Sequence, residues 1–188
     1  MVHIVNTYTT IGLEWYQISV EVDSAKALPT IEIIWLPDAA IKESKERLRA
    51  TFRNCNLDLP PRKIILNLAP SDIKKIGTSF DVPMAVAILL MTADITDKAQ
   101  RWLEKVLFFG ELWLDGSIKR VDWLLPAVIA AMKQWYKHFV VPRDNQYELE
   151  YLPDITIYPV DHFESIVDHL TGKQKLQSPP EAKNVEEL

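Results

Sequence analysis

NLAPSDIKKIGTSFDVP, residues 67–83, decides more about this chain than any other stretch. A strand-like run (Ile64, Ile65, Leu66) feeds it, and an apolar helix-like run from Met84 to Met91 leaves it. Between them lie Pro70, a Ser71-Asp72 turn signal, two lysines, Gly77 and a Ser79-Phe80-Asp81 step. A strand, a polar glycine-bearing loop and a helix start, in that order, is where α/β proteins often place ligands. A helix is expected over 81–93, with Asp81 as its N-cap and Pro83 in the first turn.

Outward from this segment, strands are expected at 3–9, 13–22 and 30–36, with Gly12 turning a hairpin between the first two. Asp38 is a good N-cap for a helix over 39–55, where Ile41, Leu48, Phe52 and Cys55 share one stripe. Glu43 and Arg47 stand four apart on it, as do Lys42 and Glu46. Arg62 to Leu68 is a fourth strand, nearly continuous in apolar residues after its first two. That pattern predicts an interior strand buried on both faces. Further along come a polar helix at 98–105, a strand at 106–114 and an Asp115-Gly116 turn before 117–121. A helix at 123–136, strands at 139–141 and 155–158, and helices at 146–152 and 161–170 complete the pattern.

Composition sets outer limits. At 188 residues and 48% hydrophobic, the chain has material for one well-filled domain. Its formal charge of −5 supplies no global basic field. The single Cys55 excludes an internal disulfide and is read as a structural thiol in a reducing compartment. No apolar run approaches the about 20 residues of a membrane span. The first ten residues lack signal-peptide features, so cytoplasmic residence is the expectation.

Four stretches carry a family resemblance: LPDAAIKESKERLRA (36–50), NLAPSDIKKIGTSFDVPMAVAIL (67–89), GELWLDGSIKRV (110–121), and LPAVIAA (125–131) with VVPRDN (140–145). They resemble the N-terminal domain of the ComM/YifB family of magnesium-chelatase-like AAA+ proteins. The motif residues are Asn67, Pro70, Gly77, Ser79, Phe80, Asp81, Pro83, Gly110, Glu111, Asp115, Gly116 and Pro142. The likeness covers about residues 3–171, so 1–171 is taken as one domain and 172–188 as a flexible tail or linker stub. It implies an α/β fold, a mixed sheet covered by helices. That fold is similar to the Lon proteolytic domain and to the second domain of a small-subunit ribosomal protein. It also implies service to a ring-forming ATPase linked to branched-DNA processing and competence. Trp35 departs from the family by standing where a glycine is usual. Trp113 and Trp123 are bulky beside their motifs, and local repacking is preferred over an altered partner surface.

Likeness to Lon places Ser79 on the loop that carries the Lon nucleophile. A serine needs a base to attack. The helix that would carry the Lon lysine reads WLLPAVIAA here, and no lysine falls between Lys119 and Lys133. The favoured role of Ser79 is therefore a hydrogen bond to the loop or helix start. No phosphate-loop glycine spacing occurs, and no cofactor is expected in this chain. No metal site is expected, because His3, His138, His162 and His169 are dispersed. His162 and His169 are read as a solvated pair.

Charge is uneven along the chain. From Lys42 to Lys75 nine Lys/Arg face four Asp/Glu, a local +5, whereas from Asp144 onward three face ten, a local −7. Lys42, Lys45, Arg49, Arg53, Arg62, Lys63, Lys74 and Lys75 are the candidate nucleic-acid contacts, set against a solvated helix face of equal weight. Three readings follow. The first is a non-catalytic binding module that helps an AAA+ motor engage DNA or its own subunits. The second is a Lon-like peptidase remnant using Ser79. The third is a scaffold that packs on a partner ATPase.

Overall fold

The computed structural model describes residues 2–12, 14–34, 38–75 and 77–179. Trp35 lies outside these residues, as do residues 180–188 of the expected tail.

Two long β-branched and aromatic runs, β1 (His3–Ile11) and β2 (Glu14–Ala25), pair antiparallel across Gly12. The third run is β3 (Thr30–Ile34). Asp38 then caps α1 (Ala39–Asn54), its carboxylate accepting from the Ile41 amide at 2.8 Å. The expected stripe is real: Ile41, Leu48, Phe52 and Cys55 are all buried. The chain returns through β4 (Lys63–Ala69), which lies between β3 (parallel) and β2 (antiparallel). After the 70–80 loop comes α2 (Asp81–Thr92), whose residues 81–89 are all buried.

The second half alternates α and β: α3 (Asp97–Leu103), β5 (Val106–Phe108), β6 (Glu111–Leu112), β7 (Ile118–Lys119) and α4 (Leu124–Met132). Then follow β8 (His138–Pro142), a 3-10 turn at Arg143–Asn145, α5 (Gln146–Leu149), β9 (Thr156–Val160) and α6 (Phe163–Leu170). Among the described residues, seven strands form one mixed sheet in the order β3-β4-β2-β1-β5-β8-β9, and β6-β7 is a separate hairpin. The right-hand strands β1, β5, β8 and β9 are mutually parallel. The fold class is thus α/β with a mixed sheet covered by helices, as expected.

Alternation along the strands sends side chains to two cores. Val106 and Phe108 of β5 enter the larger core with α1, α2, α3 and α6, while Leu107 between them enters a smaller one with α4 and α5. Val140 and its neighbours Phe139 and Val141 on β8 divide the same way. This division corrects the expectation for β4. The strand is interior, but only Ile64, Leu66 and Leu68 are buried. Lys63, Ile65, Asn67 and Ala69 on its other face are half-buried. The smaller core takes its strand residues from β1, β5, β8 and β9, so β4 has no full second cover.

Three other boundaries move for physical reasons. The expected strand 106–114 splits into β5 and β6 at Gly110 (φ +154), where a Cβ would meet Val82 Cγ2 at 2.7 Å and Ile118 Cγ2 at 2.8 Å. The expected helix 123–136 ends at Met132, and Trp135 follows with φ +70. Residues 173–176 pack back on α6: the Lys173 amide donates to Asp168 O at 2.8 Å, and the Leu176 amide donates to His169 Nδ1 at 3.1 Å. Among the described residues, no helix is long and apolar enough to cross a membrane.

Two tests follow from this packing. Phe52 is fully buried with its ring 5.8 Å from that of Phe163, so Phe52→Ala should cost about 3–5 kcal/mol in urea unfolding. Burial, with nearby lysines, lowers the pKa of His138 (Lys105, Lys137) and of His169 (Lys175, Lys98). The unfolded chain therefore takes up protons that the folded chain resists. Stability is complete above about pH 6.5 and falls as pH drops below it, towards the lower folded values. A His138→Gln/His169→Gln variant should lose most of this slope in thermal melts between about pH 6.5 and 5.

Candidate functional site

The 70–80 loop is held by bonds from three directions. Its Gly77 amide donates to Asp38 Oδ2 at 3.0 Å, so the residue that caps α1 also pins the loop. Thr78 Oγ1 donates to the Glu111 carboxylate. The Gly110 amide donates to Ser79 O at 3.4 Å, and the Val82 amide donates to Gly110 O at 3.1 Å. The loop and the start of α2 are thereby stitched to the β6 hairpin.

Asp81 is not the N-cap expected of it. Phe80 occupies that position, and Asp81 is the first helical residue with its side chain turned inward and fully buried. Its carboxylate accepts from Arg47 Nε at 2.7 Å and Nη2 at 3.2 Å, from Ser44 Oγ at 2.5 Å and from the Leu112 amide at 3.1 Å. Burial raises the Asp81 pKa, and the Arg47, Ser44 and Leu112 donors oppose that rise. Arg47, read from sequence as a partner of Glu43, thus pairs with a residue on another element. The available signal was Ser44: a hydroxyl on the buried stripe of α1 needs a partner. Asn145 is a second such case. Fully buried, it donates to Val121 O at 2.9 Å and accepts from the Val121 amide at 3.0 Å, which joins the VVPRDN and GELWLDGSIKRV motifs.

Beside the loop opens a cleft of about 370 Å³ lined by Thr78, Ser79, Glu111, Arg120, Asp122 and aromatic walls from Tyr8, Trp15, Phe109 and Trp123. Burial and Tyr136 push the Tyr8 phenol up to about 12, so it stays protonated. Arg120 donates from Nη1 to Tyr147 Oη at 2.7 Å. Among the described residues that line the cleft, none is a lysine or a histidine. Leu124 stands in its wall, in the helix where the Lon likeness would seek the lysine.

The remaining motif residues have structural work. Pro70 O accepts from Lys75 Nζ, Asn67 donates to Glu21 at 2.7 Å, and Asp115 accepts from the Ser117 amide and hydroxyl at 2.9 and 2.7 Å. Phe80 and Pro83 are buried at the start of α2, and Pro142 closes β8. Trp113 and Trp123, for which local repacking is expected, are 54% and 70% exposed. Lys119 Nζ sits 4.4 Å from the centre of the Trp113 ring.

The structure divides the proposed basic residues. Lys42, Lys45, Arg49 and Arg53 run along α1 at spacings that keep one face. Lys42 and Arg53 are exposed, while Lys45 and Arg49 are half-buried. Arg62 and Lys74 are exposed in loops, and Lys63 pairs with Glu32. Lys75 is 0% exposed and points into the loop, so it cannot present its charge to a phosphate. Burial lowers its pKa, with Asp72 opposing.

A family model described as subunit ChlI of Mg-chelatase matches residues 20–145, more than half of the chain. The chain belongs to this ChlI family. It is 31% identical to YifB of Escherichia coli over 176 residues, 94% of this chain and 34% of that protein. It is 30% identical to the competence protein ComM of Haemophilus influenzae over 173 residues, 92% of this chain and 33% of that protein. A Lon protease of Mycoplasmopsis agalactiae is 28% identical over 134 residues, 68% of this chain and 13% of that enzyme. The chain spans about a third of the length of its YifB and ComM relatives.

The adjacent lysines of the loop should respond unequally to charge reversal. Lys75→Glu places a carboxylate in a buried site facing a carbonyl and should cost more than about 2 kcal/mol. Lys74→Glu, on an exposed residue, should change stability by less than about 0.5 kcal/mol. Chemical denaturation of the two variants measures the contrast.

Proposed function

We propose that this chain is a non-catalytic module of a ComM/YifB-type AAA+ protein involved in DNA processing, and that it docks on nucleic acid by phosphate contacts. The observation that carries the non-catalytic half is the cleft: Ser79 lies in it, but no lysine or histidine lines it among the described residues. Glu111 there is bonded to Thr78 rather than to Ser79, and a hydroxyl without an engaged base is a poor nucleophile. The competence protein ComM, a relative over nearly the whole chain, supports the link to DNA. The docking face is the outer side of α1, with Lys42, Lys45 and Arg53, joined by Lys74 of the loop that Asp38 ties to the start of α1. Lysine and arginine on phosphates carry no base readout, so sequence preference is slight and affinity falls steeply with salt.

A second reading, docking on a partner protein, is favoured by the exposed indoles of Trp113 and Trp123 near the cleft and the β6-β7 hairpin. One experiment separates the two. Fluorescence anisotropy with branched and single-stranded DNA at two salt concentrations should show weak, salt-sensitive binding. Lys42→Glu/Lys45→Glu/Arg53→Glu/Lys74→Glu should abolish it without unfolding the chain. Binding indifferent to both salt and these changes rejects the surface and favours the partner reading. A fluorophosphonate probe should leave Ser79 unlabelled; labelling there would establish the peptidase alternative instead.

A further inference from the structure

Cys55, His162 and Glu164 are far apart in sequence on two helix ends, and none belongs to the Ser79 cleft or the basic face. The fold brings them together. Cys55 closes α1, His162 is the N-cap of α6 and Glu164 is in the first turn of α6. Their ligand atoms, a thiol sulfur, an imidazole nitrogen and a carboxylate oxygen, all lie within 4.8 Å of one another. We propose that these three side chains form a binding site for a divalent cation of the zinc class, with solvent in the fourth position.

Four observations support the assignment. First, the imidazole is already oriented. Nε2 lies 2.9 Å from Asp115 O, and a carbonyl only accepts, so Nε2 carries the proton and Nδ1 keeps its lone pair. A backbone carbonyl fixing the far nitrogen is how metal-ligating histidines are commonly held. Nδ1 now accepts a bond from the Glu164 amide at 3.3 Å, beyond the usual range, so little is lost if a cation takes the lone pair.

Second, Gly116 leaves the thiol and the ring open to one another. It has φ +88, and a Cβ there would lie 2.9 Å from Cys55 Sγ and 3.1 Å from His162 Nε2. Third, the local field is negative. The Glu164 and Asp115 side chains put two carboxylates on the thiol's side of the site. The same two carboxylates attract a cation, which on binding sulfur releases the thiol proton to solvent. Fourth, exposure is graded outward from the buried thiol through the half-buried imidazole to the exposed carboxylate, which gives an entry path.

Ligand identity selects the metal. One sulfur, one nitrogen and one oxygen suit zinc better than magnesium or calcium, which take oxygen alone. Tetrahedral zinc places ligand atoms about 3.5 Å apart, and His162 Nδ1 and the Glu164 carboxylate already lie 3.7 Å apart. Such a cation would clip the end of α1 to the start of α6 and to the 115–117 turn. The dispersed histidines of the sequence gave no metal spacing because Cys55 closes one helix and His162 opens another far along the chain.

Co²⁺ titration of the full chain tests this, with cobalt standing in for zinc. One equivalent should produce a thiolate-to-cobalt charge-transfer band in the near ultraviolet, and Zn²⁺ should displace it. Cys55→Ser should abolish the band. Glu164→Gln, on an exposed side chain that does not threaten folding, should keep the band and weaken zinc binding about tenfold or more. Absence of the band in the unaltered chain, its persistence in Cys55→Ser, or unaltered zinc affinity in Glu164→Gln would each overturn the site.

Discussion

The Asp81 carboxylate is where the structure is tied. It begins α2, lies at the end of the 70–80 loop and is closed off from solvent. Arg47 and Ser44 reach it from α1, and the Leu112 amide reaches it from the β6 hairpin. A lone buried carboxylate is costly, so these donors must arrive together. Their arrival fixes α1 against α2 and the hairpin against both. The rotation of α1 then brings its apolar stripe to the larger core and leaves Lys42 and Arg53 in solvent. The loop inherits its shape from the same constraint. Asp38 pins Gly77 at one end, Gly110 bonds Ser79 and Val82 at the other, and Ser79 is left lining the cleft.

Much of this fold is legible along the sequence because it is local. Alternation marks β1 and β2, the Asp38 cap marks α1, and the apolar run after Asp81 marks α2. Less legible are features set by partners far along the chain. An aspartate two residues before a proline looks like an N-cap whether or not an arginine from another helix receives it. Nothing local distinguishes Lys74, in solvent, from Lys75, whose ammonium is held by Pro70 O. The break between β5 and β6 is decided by Val82 and Ile118, which leave no room for a Cβ at Gly110. The four motif stretches fare better, because their residues are the ones that bond to each other: Glu111 to Thr78, Asn145 to Val121, Asp81 to Leu112.

The ChlI family match spans the 70–80 loop and the β6 hairpin that border the cleft. What fills that cleft here is hydroxyls, carboxylates, one arginine and aromatic walls. The buried Asp81 network holds the loop and the hairpin together without itself lining the cleft.

The most direct test is a double-mutant cycle on Arg47 and Asp81, read by urea unfolding. Arg47→Met leaves a buried carboxylate without its cation and should cost about 3 kcal/mol or more. Asp81→Leu should cost less, since Arg47 is 18% exposed and can turn to water. The double variant should cost clearly less than the sum of the two, because each change removes the group that the other leaves stranded. Additive losses would contradict the central place given to this carboxylate.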